Sequence, residues 1–269
     1  NLVDGTLTAI ATLPVAVHDA AGAIIGGRAT VIGGGSTATF ADVQGFPLGG
    51  GPASVVAQLP QPRSDLSATT TGSTTGSTTV VVGGYDGTTA DGSILTTTNG
   101  TTYAVAGTLP VPVRYGAVAA LGHDVYVFGG LAIGGPDAGQ PVRTVQQINL
   151  ARGTSSVLGP LPEPLEGASA FALDGRIFVA GGDTASSGSG SGALTSSASI
   201  WAFLPPATGR LGTGGAGSGS GISAFVAAGT LAEAVSNAGA AVDGAGAWMV
   251  GGEHDGTPVD VVQQVRTVG

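Results

Sequence analysis

"ASAFALDGRIFVAGG", residues 168–182, decides how this chain folds. Residues 168–173 are small and apolar and lead into Asp174-Gly175. An Asp-Gly pair between two apolar runs supplies the left-handed backbone that a two-residue β-hairpin turn needs. The second run, 176–180, ends on Gly181-Gly182. The block therefore reads as a hairpin closed by a double glycine, and it recurs along the chain.

Double glycines follow an apolar run at 33–34, 83–84, 129–130, 181–182 and 251–252, at spacings of 50, 46, 52 and 70 residues. A second marker precedes each one: Leu13-Pro14, Leu59-Pro60, Leu109-Pro110, Leu161-Pro162 and a degenerate Leu231-Ala232. From marker leucine to double glycine the distance is 20, 24, 20, 20 and 20 residues. Two markers held in phase over five periods of about fifty residues, with strand pairs inside each, indicate the blades of a β-propeller.

Each unit divides into four strands. In the third these are 116–121, 124–128, 144–150 and 154–158, with the small-residue first strand suited to the crowded centre. The second unit has 93–98 and 101–106 about an Asn99-Gly100 turn, and its four extra residues fall in the Thr/Ser/Gly run 69–79. The fourth unit carries Ser/Gly-rich stretches, 184–199 and 212–221, that read as loop insertions beside strands 200–203 and 222–227. The fifth stops after 238–242, 247–250 and 259–268. Its missing fourth strand is expected from residues 6–12, because "TVQQINL" leads to "GTSSVLGPLP" in the third unit while "VVQQVRTVG" finds its continuation in "GTLTAIATLP" at Gly5. The expectation is one all-β domain, 1–269, with five four-stranded antiparallel blades at about 15–58, 61–107, 111–158, 163–229 and 233–269 plus 5–13. The N-terminal strand closes the last blade and removes two open edges. A sixth, degenerate blade inside the fourth unit is the alternative.

Composition narrows the function classes. The net charge is −9, all eight basic residues are arginine, and no basic stripe exists for nucleic acid or an anionic membrane. With no cysteine, thiol catalysis, disulfides and Cys-ligated zinc are excluded. No run of eighteen apolar residues is present to cross a membrane as a helix. The first residues, Asn1-Leu2-Val3-Asp4, lack the basic and apolar regions of a signal peptide, which a processed chain has lost. The Thr/Ser/Gly/Ala-rich, lysine-free composition resembles that of exported proteins of GC-rich bacteria, so an extracellular or cell-surface location is expected.

The double glycines, the strands before them in "VYVFGG" and "RIFVAGG", the "GGYDG" at Gly83, and the junctions "LPQPR" and "LPVPVR" resemble the kelch-repeat family of β-propellers over essentially the whole chain. The family's Tyr-Asp on the third strand and Trp on the fourth are mostly missing, with Trp201 in place of the tyrosine. The resemblance implies that the loops opening the innermost strands share one face with the loops after the double glycines. Five residues after each marker leucine stand His18, Ser64, Arg114, Glu166 and Ser236, with Arg63 one place earlier. Tyr85, Asp86, Asp183, Glu253, His254 and Asp255 come from the other loops. The candidate ligand-binding set at the channel mouth is Arg63, Arg114, His18, Glu166, Tyr85, Asp183, Glu253 and His254, as in kelch domains that bind peptides through arginine and serine.

Catalytic motifs are absent. Copper radical oxidases with kelch-like repeats need a Tyr–Cys crosslink, which this chain cannot form. The glycine pairs precede no helix, so they cradle no phosphate. Glu253-His254-Asp255 offers three consecutive ligand types, a poor geometry for a metal, and no metal or cofactor is expected. The reading is a monomeric, non-enzymatic binding propeller, an exported or sensory recognition domain for a protein, peptide or saccharide, with no nucleic acid and no membrane insertion. The alternatives are a carbohydrate-active enzyme using acids at the channel mouth and a structural cell-surface protein.

Overall fold

The computed structural model describes residues 8–73, 76–185, 193–206, 224–244 and 246–267. They form no helix, and five antiparallel sheets are arranged as the blades of a β-propeller. From the inside outward, blade 1 is Ala21–Ile25, Arg28–Ile32, Asp42–Pro47 and Ser54–Gln58. Blade 2 is Ser67–Ser73, Gly76–Val82, Ser93–Thr97 and Ala104–Thr108. Blade 3 is Ala117–Leu121, Asp124–Phe128, Thr144–Asn149 and Thr154–Pro160, and blade 4 is Ser169–Leu173, Arg176–Ala180, Ser199–Leu204 and Ala224–Thr230. Blade 5 shows three strands among the described residues, Gly239–Val242, Ala247–Val250 and Val262–Val265.

Local chemistry sets these elements. Asp174 and Gly175 take φ of 50° and 72°, the two left-handed residues that join Leu173 to Arg176 in register. Asn99-Gly100 behaves differently from the expected two-residue turn. Only Gly100 has positive φ, and the Asn99 carboxamide oxygen accepts from Thr101 and Thr102 N–H at 2.9 Å, so a longer loop delays the fourth strand to Ala104. The Thr/Ser/Gly run of blade 2 lengthens the inner hairpin, with Ser67–Ser73 paired to Gly76–Val82. In blade 4, Asp183–Ala185 pairs with Leu194–Ser196 inside the first Ser/Gly-rich stretch; 186–192 and 207–223 lie outside the described residues.

Every blade has two apolar faces, so apolar cores lie between neighbouring blades. Ile32, Val43, Leu59 and Val81 join blades 1 and 2. Val82, Ile94, Leu109 and Val127 join 2 and 3. Phe128, Val145, Leu161 and Val179 join 3 and 4, and Ala180, Ile200, Leu231 and Met249 join 4 and 5. The marker leucine of each later unit thus plugs the junction behind it.

The double glycines latch these junctions. The second glycine N–H donates to the carbonyl four residues past the next marker leucine: Gly34 to Arg63 at 2.9 Å, Gly84 to Val113 at 3.0 Å, Gly130 to Leu165 at 2.8 Å and Gly182 to Val235 at 2.9 Å. A Cβ on the first glycine would stand 2.2–2.6 Å from that same carbonyl, and both glycines have positive φ. Only glycine satisfies both demands. This is the physical reason the pair marks the first four units; at Gly251 a Cβ would meet only the Val259 carbonyl, at 3.5 Å.

A third device fixes the incoming chain. Gln44, Gln146 and Gln263 are buried on the third strands, and each carboxamide accepts from and donates to one backbone residue, Val15, Val111 and Glu233, at 2.8–3.0 Å. In blade 4 Trp201 takes this place, its indole N–H donating to Glu163 at 2.9 Å. In blades 1 to 4 the third-strand residue in this position, Gln44, Leu95, Gln146 or Trp201, lies beside a β-bulge in the fourth strand, whose extra residue is Val56, Ala106, Leu158 or Ala228.

The N-terminal stretch expected to complete blade 5 carries no strand over residues 8–13, and residues 5–7 lie outside the described residues. The Ile10 carbonyl instead lies beside Gly50, at the outer turn of blade 1, and Ile10 is exposed.

Candidate functional site at the channel mouth

Six residues past the marker leucines stand Asp19, Asp65, Tyr115, Gly167 and Asn237, and all five take left-handed φ of 54–60°. Around the axis four of these N–H groups donate to the preceding unit's carbonyl: Asp65 to Asp19 at 2.8 Å, Tyr115 to Asp65 at 2.9 Å, Gly167 to Tyr115 at 2.9 Å and Asn237 to Gly167 at 2.7 Å. These residues line a cavity of about 290 Å³ at the centre of the ring. All five units contribute to it, so the five-fold count stands on this shared channel.

One place earlier, each fifth residue pairs with the residue after its own double glycine: His18 with Gly35, Ser64 with Tyr85, Arg114 with Leu131, Glu166 with Asp183 and Ser236 with Glu253. The two loop sets therefore share one face, as the resemblance implied.

Arg114 is the organising side chain. Its guanidinium lies 5.0 Å from the Tyr85 ring centroid and 4.6 Å from that of Tyr115, within cation–π range. Nη2 donates to the Tyr115 hydroxyl at 2.9 Å, and Nε lies 2.9 Å from Asp65 Oδ2. Burial pushes the Asp65 carboxyl above its ordinary range, and Arg114 pulls it the other way. Tyr115 pays a conformational cost in this arrangement, because a bulky residue at φ 55° is strained. Its phenol is pushed up to about 12, chiefly by burial.

Beside this cluster, burial and then the neighbouring Asp183 push Glu166 up to about 7, against the pull of Arg114. Its Oε2 is buried and finds no hydrogen-bond partner among the described residues, and the same holds for the Ser236 hydroxyl. Asp183 accepts from the Ser196 hydroxyl at 2.8 Å, which in turn accepts from Asp255 N–H at 2.9 Å, tying the loops of blades 4 and 5 together.

The remaining expected residues separate. Arg63 does not face the mouth. It is 1% exposed, bonded to Ser93 and the Gly83 carbonyl, and ion-paired with Asp91. Its position, four past the marker, is apolar in the other units: Val17, Val113, Leu165 and Val235. Aligning the units on their leucines exposes that column, and with it the buried placement. His18 is exposed at the rim against Asp19. His254 turns its ring to the Ala234 carbonyl at 2.8 Å. Asp19, Asp65, Tyr115 and Asn237 were missed, although Asp, Asp, Gly and Asn in one column signal left-handed backbone. Among the described residues no group of three acidic or histidine side chains is placed to hold a metal.

Fold and channel define a five-bladed β-propeller. No family model matches the sequence, and no curated protein does. A solved structure described as "Structure of YjhT" superposes with a TM-score of 0.73 at 14% identity, over 93% of this chain and 82% of that one. The likeness is one of fold.

Proposed function

We propose that this propeller is a non-enzymatic recognition domain that takes a polar ligand, a peptide or a saccharide, at the channel mouth. The observation that carries the reading is the strained Tyr115 holding Arg114 between two tyrosine rings at the rim. Strain of this kind persists where surrounding structure enforces it, and it clusters at binding sites. An arginine so held is pre-organised for an anionic or hydroxyl-bearing group. The lysine-free composition supports work outside the cell or at its surface, in a recognition or sensory role.

Peptide and glycan arrays probed with the protein and with Arg114→Ala test this. Binders of the parent protein should lose at least about tenfold in affinity, roughly 1.4 kcal/mol. Unchanged affinity across all binders contradicts it. The Glu166–Asp183 pair favours a second reading, a carbohydrate-active enzyme, since a carboxyl raised by burial to about 7 beside a second carboxyl suits glycoside cleavage. On that reading Glu166→Gln loses glycoside turnover, whereas a recognition domain has none to lose.

A further inference from the structure

Charge at the channel mouth does not balance, and the surplus collects at blades 4 and 5. Arg114 is matched by Asp65, its Nε 2.9 Å from Oδ2. Beyond it stand Glu166 and Asp183, bridged backbone to backbone, and then Glu253, bridged to Ser236. None of these three acids forms an ion pair with an arginine among the described residues, and the chain has no lysine.

Two buried oxygens at this place, Glu166 Oε2 and Ser236 Oγ, find no hydrogen-bond partner among the described residues. Ser236 is 1% exposed. The repeat sets where its side chain turns. Ser64 holds the same place in the second unit, and a Cβ on Gly35 would stand 3.9 Å from its Oγ. Arg114, in that place in the third unit, reaches Tyr85. Both side chains thus turn to the residue after the preceding double glycine. For Ser236 that residue is Asp183. Glu166 meets Asp183 as well: burial and then that carboxyl push it up, and the pull of Arg114 comes after both. A carboxyl driven toward its neutral form is one whose anion lacks a counter-ion. A buried hydroxyl without a partner is costly in the same sense. One positively charged donor would answer both.

We propose that Glu166, Asp183 and Ser236 form a subsite for a protonated primary amine of the ligand, while Arg114 takes a hydroxyl or carbonyl oxygen of the same molecule. This rests on the recognition reading of the mouth. An ammonium carries three N–H donors and no acceptor, which suits two carboxylates and a hydroxyl oxygen. A guanidinium instead favours the paired oxygens of one carboxylate. The net charge of −9 draws a cation toward the mouth. The amine belongs to a lysine side chain or to an amino sugar, and the two sources are separable by experiment.

The probes come in pairs: lysyl peptides with free and with acetylated ε-amino groups, and glucosamine oligomers with free and with acetylated 2-amino groups. In at least one pair type the free-amine members should bind the parent protein at least about tenfold tighter than their acetylated partners. The pair type that shows this names the source of the amine. Glu166→Gln and Asp183→Asn keep the side-chain shapes, and thermal melts check that each variant is folded. Either should bring the ratio to about threefold or less, whereas Arg114→Ala weakens both members of a pair. Free and acetylated members that bind alike would overturn the amine subsite and leave the recognition reading standing. A ratio that survives both Glu166→Gln and Asp183→Asn would place the amine elsewhere and overturn it as well. An array in which nothing binds removes the recognition reading and the subsite together.

Discussion

Gln146 shows how much one side chain can hold. Its fully buried carboxamide satisfies both the N–H and the carbonyl of the partly buried Val111, between blades 2 and 3. Gln146→Leu keeps the volume and orphans both, so it should cost about 2 kcal/mol or more, checked by urea denaturation. A loss below about 0.5 kcal/mol would mean that the clamp is ornamental. Glu166 gives a pH signature. Its folded pKa near 7 lies above its ordinary 4.5, so its neutral form stabilises the fold. That contribution is complete below pH 4.5 and is lost as pH rises through 7. Discounted for partial exposure, it amounts to about 1 kcal/mol, or 2–4 °C in Tm. Glu166→Gln should therefore gain stability over the parent between pH 5 and pH 8, as read by thermal melts; parallel profiles contradict it. Both residues stand in the sequence as letters of a repeat. What the sequence could not show was their partners, because Val111 and Gln146 are 35 positions apart.

At the scale of elements, the repeat was highly legible. The strands Asp124–Phe128, Arg176–Ala180 and Ala247–Val250 were expected at these bounds, because each lies between a tight turn and a double glycine. Outer strands were less legible. Fourth strands carry bulges and follow longer loops, so the expected 101–106 became Ala104–Thr108. The N-terminal stretch shows the limit more sharply. The internal repeat match places residues 6–12 in a fourth strand, yet residues 8–12 form none, because a match between repeat units names a place in the blade without supplying the edge that the strand must join. The mouth was half legible. Arg114, Glu166, Tyr85 and Asp183 come together there, while Arg63, one column away, points into the junction between blades.

For the whole molecule, stability is shared among junctions, as in other repeat proteins whose units contact only their neighbours. Each made junction combines an apolar core, a glycine latch and a bond at the channel rim. Between blades 5 and 1 none of the three forms among the described residues. A ring with four closed junctions and one seam is the central claim, and amide hydrogen exchange reads it residue by residue. The second glycines Gly34, Gly84, Gly130 and Gly182 should exchange slowly, and Gly252 should exchange faster by at least about tenfold. Five equally protected amides would contradict the account by showing a ring sealed all the way round.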